Sequence, residues 1–222
     1  MTQLLNDRHS SNVHESIVRR CMRLCRQVKN ADEFATILEP VFNDFLQKRL
    51  NFRGAKENAE NLYDTKVLMD TVLDDRVRDL SDACKKYDRN QAGSNVYKLF
   101  FPEGASKITG FSIDKEPEEV DHLILALQDL GAEHELAPFI PILQEAAAAS
   151  RAAIAAHAEA LGAVNSAKAL VAIAKGNLNR QYEQVIYAAS AKFGKVYSKR
   201  LFPVIKRTSN KRNIAENEET NS

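Results

Sequence analysis

The chain has 222 residues and a mass of 24.9 kDa, with 44% hydrophobic and 27% charged residues. That is the composition of a folded globular protein able to bury roughly two-thirds of its unfolded surface without staples. Eight glycines and six prolines are too few for the many turns of a β-sandwich or barrel, and 31 basic residues against 30 acidic ones point to no polyanionic partner through net charge alone. Three cysteines, an odd number, do not make a secreted disulfide framework. The opening Met-Thr-Gln-Leu-Leu-Asn-Asp-Arg lacks the apolar run of a signal peptide, and no window approaches the length of a membrane span. The expected location is the cytoplasm, with no membrane partner.

Apolar residues recur at helical period almost throughout. Residues 1–11 are expected to be disordered. Asn12 and Glu15 have the spacing of a capping box, and Val13, Ile17, Val18, Cys21, Leu24, Cys25 and Val28 follow as a stripe. The first helix is therefore placed at about 12–29. Asn30 and Glu33 repeat the cap, and Phe34, Ile37, Leu38, Val41, Phe42, Phe45 and Leu46 define a second helix at about 31–50, bent at Pro40. Gly54 separates it from a third, about 55–91, which Gly93 kinks on the way to Phe101 and Pro102. Residues 102–116 form the longest connection. Pro117 opens a fourth helix that Gly131 stops at about 130. A fifth, rich in alanine, follows Pro138 and Pro141 to about 161, and a sixth runs from about 165 to Phe202 and Pro203. Residues 207–222 read as a disordered polar tail.

Sliding the chain against itself by 101 positions aligns Pro40 with Pro141, Gly93 with Gly194, Phe101 with Phe202 and Pro102 with Pro203. Breakers fix element lengths, so their match predicts an internal duplication, about 12–101 and about 113–202. The fold class expected is all-α: one antiparallel bundle of six helices over residues 12–206. The phenylalanines of the second helix are expected to face the alanines of the fifth, large against small.

The stretch Leu-Phe-Phe-Pro-Glu-Gly-Ala-Ser-Lys-Ile-Thr at 99–109, followed by an acidic helix start and Leu-Ile-Leu-Ala-Leu at 123–127, resembles segments of uncharacterised bacterial helical-bundle proteins. The resemblance covers about residues 60–145. Its most specific part is the Phe-Pro-Glu-Gly turn, and it implies a helical fold without implying an activity.

Motifs for catalysis are missing. There is no Gly-x-Gly-x-x-Gly, Walker loop, His-Glu-x-x-His or Gly-x-Ser-x-Gly. Glu119 and His122 form a lone Glu-x-x-His pair whose repeat partners are Val18 and Cys21, which a duplicated di-metal site would not tolerate. His9, His134 and His157 belong to no recognisable catalytic motif. No catalytic residue and no cofactor is assigned, and the chain is read as a non-enzyme. Cys21 and Cys25 share one helical face, with His14 two turns before; thiolates and imidazole suit zinc or copper(I). Both cysteines also lie on the apolar stripe, where a free cysteine behaves as a small core residue, as does Cys84.

Charge is uneven along the chain. Residues 114–135 hold eight acids, among them Glu116, Glu118, Glu119 and Asp121, against the single base Lys115. Residues 192–212 hold Lys192, Lys195, Lys199, Arg200, Lys206, Arg207, Lys211 and Arg212 and no acid. The leading expectation is a protein that acts by association, with itself as a homo-oligomer or with another protein, through these two segments. The alternative is nucleic-acid binding by the basic segment, whose interleaved Tyr187, Phe193, Tyr197 and Phe202 could stack on bases. Arg19, Arg20, Arg23 and Arg26 on the polar side of the first helix point to more than one basic surface. The third is a metal or redox role for the Cys21 and Cys25 pair.

Overall fold

The computed structural model describes residues 4–202. The fold is all-α, with six helices: α1 Ser11–Gln27, α2 Asp32–Asn90, α3 Val96–Phe100, α4 Glu116–Asp129, α5 Phe139–Phe193 and α6 Lys195–Leu201. A single 3₁₀ turn, Ala105–Lys107, lies between α3 and α4, and the described residues contain no strand. None of these helices is long and apolar enough to cross a membrane.

The count of six matches the expectation, but the division differs. The expected second and third helices are one helix, α2, and the fifth and sixth are one helix, α5. Pro40 lies inside α2, where it removes a hydrogen bond without ending the helix. Gly54, Gly162 and Gly176 sit in helical backbone with nothing within 4 Å of where a Cβ would be. Each weakens its helix by about 1 kcal/mol relative to alanine, too little to break one this long. Pro141 falls in the first turn of α5, where a missing N–H costs little. The real stops are residues with positive φ: Asn30 (66°), Gly93 (88°), Gly131 (92°) and Gly194 (81°).

Capping also departs from the sequence reading. Ser10, not Asn12, caps α1, its Oγ accepting from the Val13 N–H at 3.3 Å. Glu15 instead pairs with Arg19 and Arg49. Asn30 makes the left-handed turn after α1 and does not cap α2. Residues 4–10, expected to be disordered, are tied down: Leu5 is buried, Lys175 donates to the carbonyls of Asp7 and His9, and Asn179 donates to Asp7 Oδ1.

The described residues divide into two compact units, residues 4–50 with 168–202, and residues 51–167. The core of the first unit joins Val18, Cys21, Met22 and Cys25 of α1 to Phe34, Leu38, Phe42 and Phe45 of α2. Leu178, Tyr182 and Ile186 of α5, with Leu201 and Phe202, complete it. The core of the second joins Leu73, Val77, Leu80 and Cys84 of α2 to Phe100, Phe101, four residues of α4, and Leu143, Ala146 and Ala147 of α5. The phenylalanines of α2 therefore do not face the alanine run, as expected from sequence. Each belongs to a different core, because the start of α2 packs with the end of α5.

The two halves of the chain follow the same order, short, long, very short. At an offset of 101, Asn30 answers Gly131 and Gly93 answers Gly194, all with positive φ, and the buried pair Phe100–Phe101 answers Leu201–Phe202. Within α1 and α4 the offset is 102: His14, Val18, Cys21, Met22 and Cys25 answer Glu116, Val120, Leu123, Ile124 and Leu127, and all ten are buried. One residue fewer between Leu127 and Gly131 restores the register. These matches are consistent with duplication.

Candidate functional site

The two units differ in charge. Among the described residues the first holds 15 Lys and Arg against 7 Asp and Glu, and the second holds 12 against 20. The chain's near-neutrality thus conceals a formal excess of eight positive charges in one unit and of eight negative in the other, seven once Glu116, which holds a proton at neutral pH, is set aside.

Seven of the first unit's fifteen bases lie on α1 and α6, which touch one another. Gly194 starts α6 with positive φ, turning the chain so that Leu201 and Phe202 reach the core. Ser190 and Ser198 hydroxyls, 2.9 Å apart, fasten α6 to α5. Lys195, Lys199 and Arg200 then face solvent, as do Arg20 and Arg23. Lys192 is engaged at home: it pairs with Glu33 at 2.7 Å and lies over the rings of Phe34 and Phe193. Arg19 and Arg26 are likewise paired, with Glu15 and Glu39. Of the aromatics proposed for stacking, Tyr187 and Tyr197 are exposed, Phe193 packs on the core, and Phe202 is buried. Lys206, Arg207, Lys211 and Arg212 lie outside the described residues.

The acidic segment needs one firm correction. Glu116 is 1% exposed and cannot be a surface contact. It shares a helical face with Val120, Leu123 and Leu127, so packing α4 carries it inward. It faces Asp74 and Asp70 of α2, and Glu116 Oε1, Asp70 Oδ1 and Asp74 Oδ1 are buried without a hydrogen-bond partner. Burial, then the two aspartates, push the Glu116 carboxyl up to about 9, so it holds a proton at neutral pH. Of the nearby cations, Lys66 is committed to Asp114 at 2.7 Å, and Arg78 pairs with the other oxygen of Asp74, Oδ2, at 2.8 Å. Glu118 is exposed, Glu119 lies 3.5 Å from His122 Nδ1, and Asp121 pairs with Arg151 of α5.

Cys21 and Cys25 are fully buried, their Sγ atoms 4.0 Å apart. The bond to Cys25 and burial push the Cys21 thiol up. His14 does not join them. Its Nδ1 lies 2.9 Å from the Ser10 carbonyl and its Nε2 2.8 Å from Asn179 Oδ1, and burial lowers its pKa. No group of three or more His, Cys, Asp or Glu among the described residues is arranged to hold a metal ion. Cys84 is buried in the second core, where burial pushes its thiol up to about 12.

Two features of the second unit escaped the sequence reading. Asp88 accepts from the Ser94 hydroxyl at 2.5 Å and from the Val96 and Tyr97 N–H groups at 2.9 Å, and so caps α3 from the end of α2. These bonds, the one from Ser94 first, hold its carboxyl below the usual aspartate range. Beyond α3, the Phe-Pro-Glu-Gly turn and α4 enclose a cavity of about 350 Å³. Leu99, Phe100, Ile108, Phe111 and Leu123 form its apolar walls, and Glu103, Lys107, Glu119 and His122 stand around it.

Comparison of the chain with protein-family models, with curated proteins and with solved structures gave no match in any of the three.

Proposed function

We propose that this protein acts by association with itself, head to tail, the basic unit of one copy meeting the acidic unit of the next. The observation that carries the reading is the charge partition, a formal excess of eight positive charges in one compact unit and of eight negative in the other. Opposite patches at different places on one chain favour a heterologous contact, which closes into a ring or runs on as a filament. Single exposed pairs contribute only about 0–1 kcal/mol, so several must act together. On the basic side the available groups are Arg20, Arg23, Lys195, Lys199 and Arg200; on the acidic side, Glu118 and its exposed neighbours. No catalytic or cofactor role is proposed for any residue.

Size-exclusion chromatography with light scattering tests this on the full chain. The expected result is an oligomer at low salt that shifts toward monomer at 1 M, where screening acts over about 3 Å. Replacing Lys195, Lys199 and Arg200 with glutamate should produce monomer at low salt. A wild-type chain that is monomeric at high concentration and low salt overturns the reading.

A second reading has its own observation: the exposed bases of α1 and α6 stand in one unit with the exposed Tyr187 and Tyr197. Such a surface suits a nucleic-acid backbone. Tight, salt-sensitive binding of a short DNA or RNA duplex by a monomer, lost in the same triple variant, would favour it.

A further inference from the structure

We propose that the cavity beside α4 receives the segment that follows Phe202 in a second copy of the chain, with Val204 and Ile205 filling it and Lys206 and Arg207 meeting Glu103 and Glu119 at its rim. The inference rests on the head-to-tail reading and gives that contact an apolar anchor, which charge alone does not supply.

Three observations converge on this occupant. The first is the cavity itself. Gly104, at φ 90°, turns the chain after Pro102 so that Ile108 and Phe111 face Leu123 of α4 across an open, largely apolar space. At about 350 Å³ it lies within the range of sites that take a small ligand or a pair of side chains. The second is its rim. Glu103 and Glu119 are only loosely held, each 3.5 Å from its partner, Lys107 and His122 respectively. Charge-assisted bonds close to about 2.7–2.9 Å when well formed, so both acids can accept a better cation. The surrounding unit carries the excess negative charge.

The third is the sequence after Phe202, Pro-Val-Ile-Lys-Arg, two branched apolar residues followed at once by two bases. Its repeat equivalent, the stretch after Phe101, lines the cavity through Ile108 and Phe111. At the 101-residue offset these become Ser209 and Arg212, so the later segment lacks the residues to line an equivalent cavity in its own unit. What it offers instead complements the cavity in the acidic unit.

The test uses a labelled synthetic peptide of residues 203–212 and the full-length variant Val204→Asp/Ile205→Asp, whose own segment cannot compete. Fluorescence anisotropy should show saturable binding of the peptide to that variant. Binding should weaken about tenfold or more when the peptide carries the same two aspartates, since two buried aliphatic side chains are lost. It should weaken similarly when the protein also carries Glu103→Lys, at an exposed position, and Glu119→Lys, at a half-buried one. The full-length variant should be monomeric at low salt where the wild type associates. No peptide binding, or binding indifferent to both sets of changes, overturns the inference. Association of the variant equal to wild type overturns it while leaving the head-to-tail reading intact. A wild-type monomer whose Val204→Asp/Ile205→Asp variant still binds peptide means the segment folds back on its own chain, which overturns the second-copy occupant and the head-to-tail reading together.

Discussion

Burying a carboxyl beside two others makes stability depend on pH. The Glu116 carboxyl sits at about 9 in the folded chain against about 4.5 when exposed. Between those values the folded state binds a proton that the unfolded state has released, so stability falls as pH rises from about 4.5 to about 9. Glu116→Gln keeps a neutral group of the same shape and removes that slope. The variant should be more stable than wild type by about 2–3 kcal/mol at pH 7, with the difference vanishing near pH 4. Urea denaturation across this range checks it; parallel curves for the two proteins would mean that Glu116 is solvated. The sequence reading takes this residue for a surface contact. Its spacing from Val120, Leu123 and Leu127 put it on the buried face, but a run of acids around it gave the impression of a solvated surface. Asp88 was not legible at all, because the helix it caps is five residues long and starts eight positions later.

At the scale of elements, glycine and proline mislead where they are read as stops without reference to φ. Gly54 and Gly162 are helical and unobstructed, whereas Gly93 and Gly194 have positive φ. Their alanine variants should therefore move stability in opposite directions. Gly54→Ala and Gly162→Ala should each stabilise by about 0.5–1 kcal/mol, since alanine loses less backbone freedom in a helix. Gly93→Ala and Gly194→Ala should each destabilise by about 1 kcal/mol or more, since a Cβ is strained at that φ. Chemical denaturation of the four single variants decides it, and a loss at Gly54 or Gly162 would show that those helices are interrupted in solution. The same distinction explains what the sequence could and could not give. Helical period, the stop at Gly131 and the match of Gly93 with Gly194 were all readable. The fusion of four expected helices into α2 and α5 was not, because local propensity cannot weigh one poor helix former against fifty good ones. Nor was the partner of the phenylalanine-rich stretch, which depends on where the long helices meet.

For the whole molecule, net charge is a poor guide to behaviour. A formal charge of +1 and an isoelectric point near 7.7 describe a protein that ion exchangers should barely hold at neutral pH. The partition of charge between the two units describes a different one. An exchanger samples local potential, because beyond a Debye length of about 8–10 Å at moderate salt the opposite patch is screened. A unit with a surplus of charges of one sign is then held through that unit. The chain should therefore be retained at pH 7 and low salt by both a cation exchanger and an anion exchanger, eluting from each as salt rises. Lys195→Glu with Lys199→Glu and Arg200→Glu should abolish retention on the cation exchanger while strengthening it on the anion exchanger. This outcome depends on the distribution of charge alone and holds whether or not copies associate. Passage of the wild type through both columns would mean that the charges of each unit are neutralised locally, and would remove the physical basis for a head-to-tail contact before any oligomer is sought.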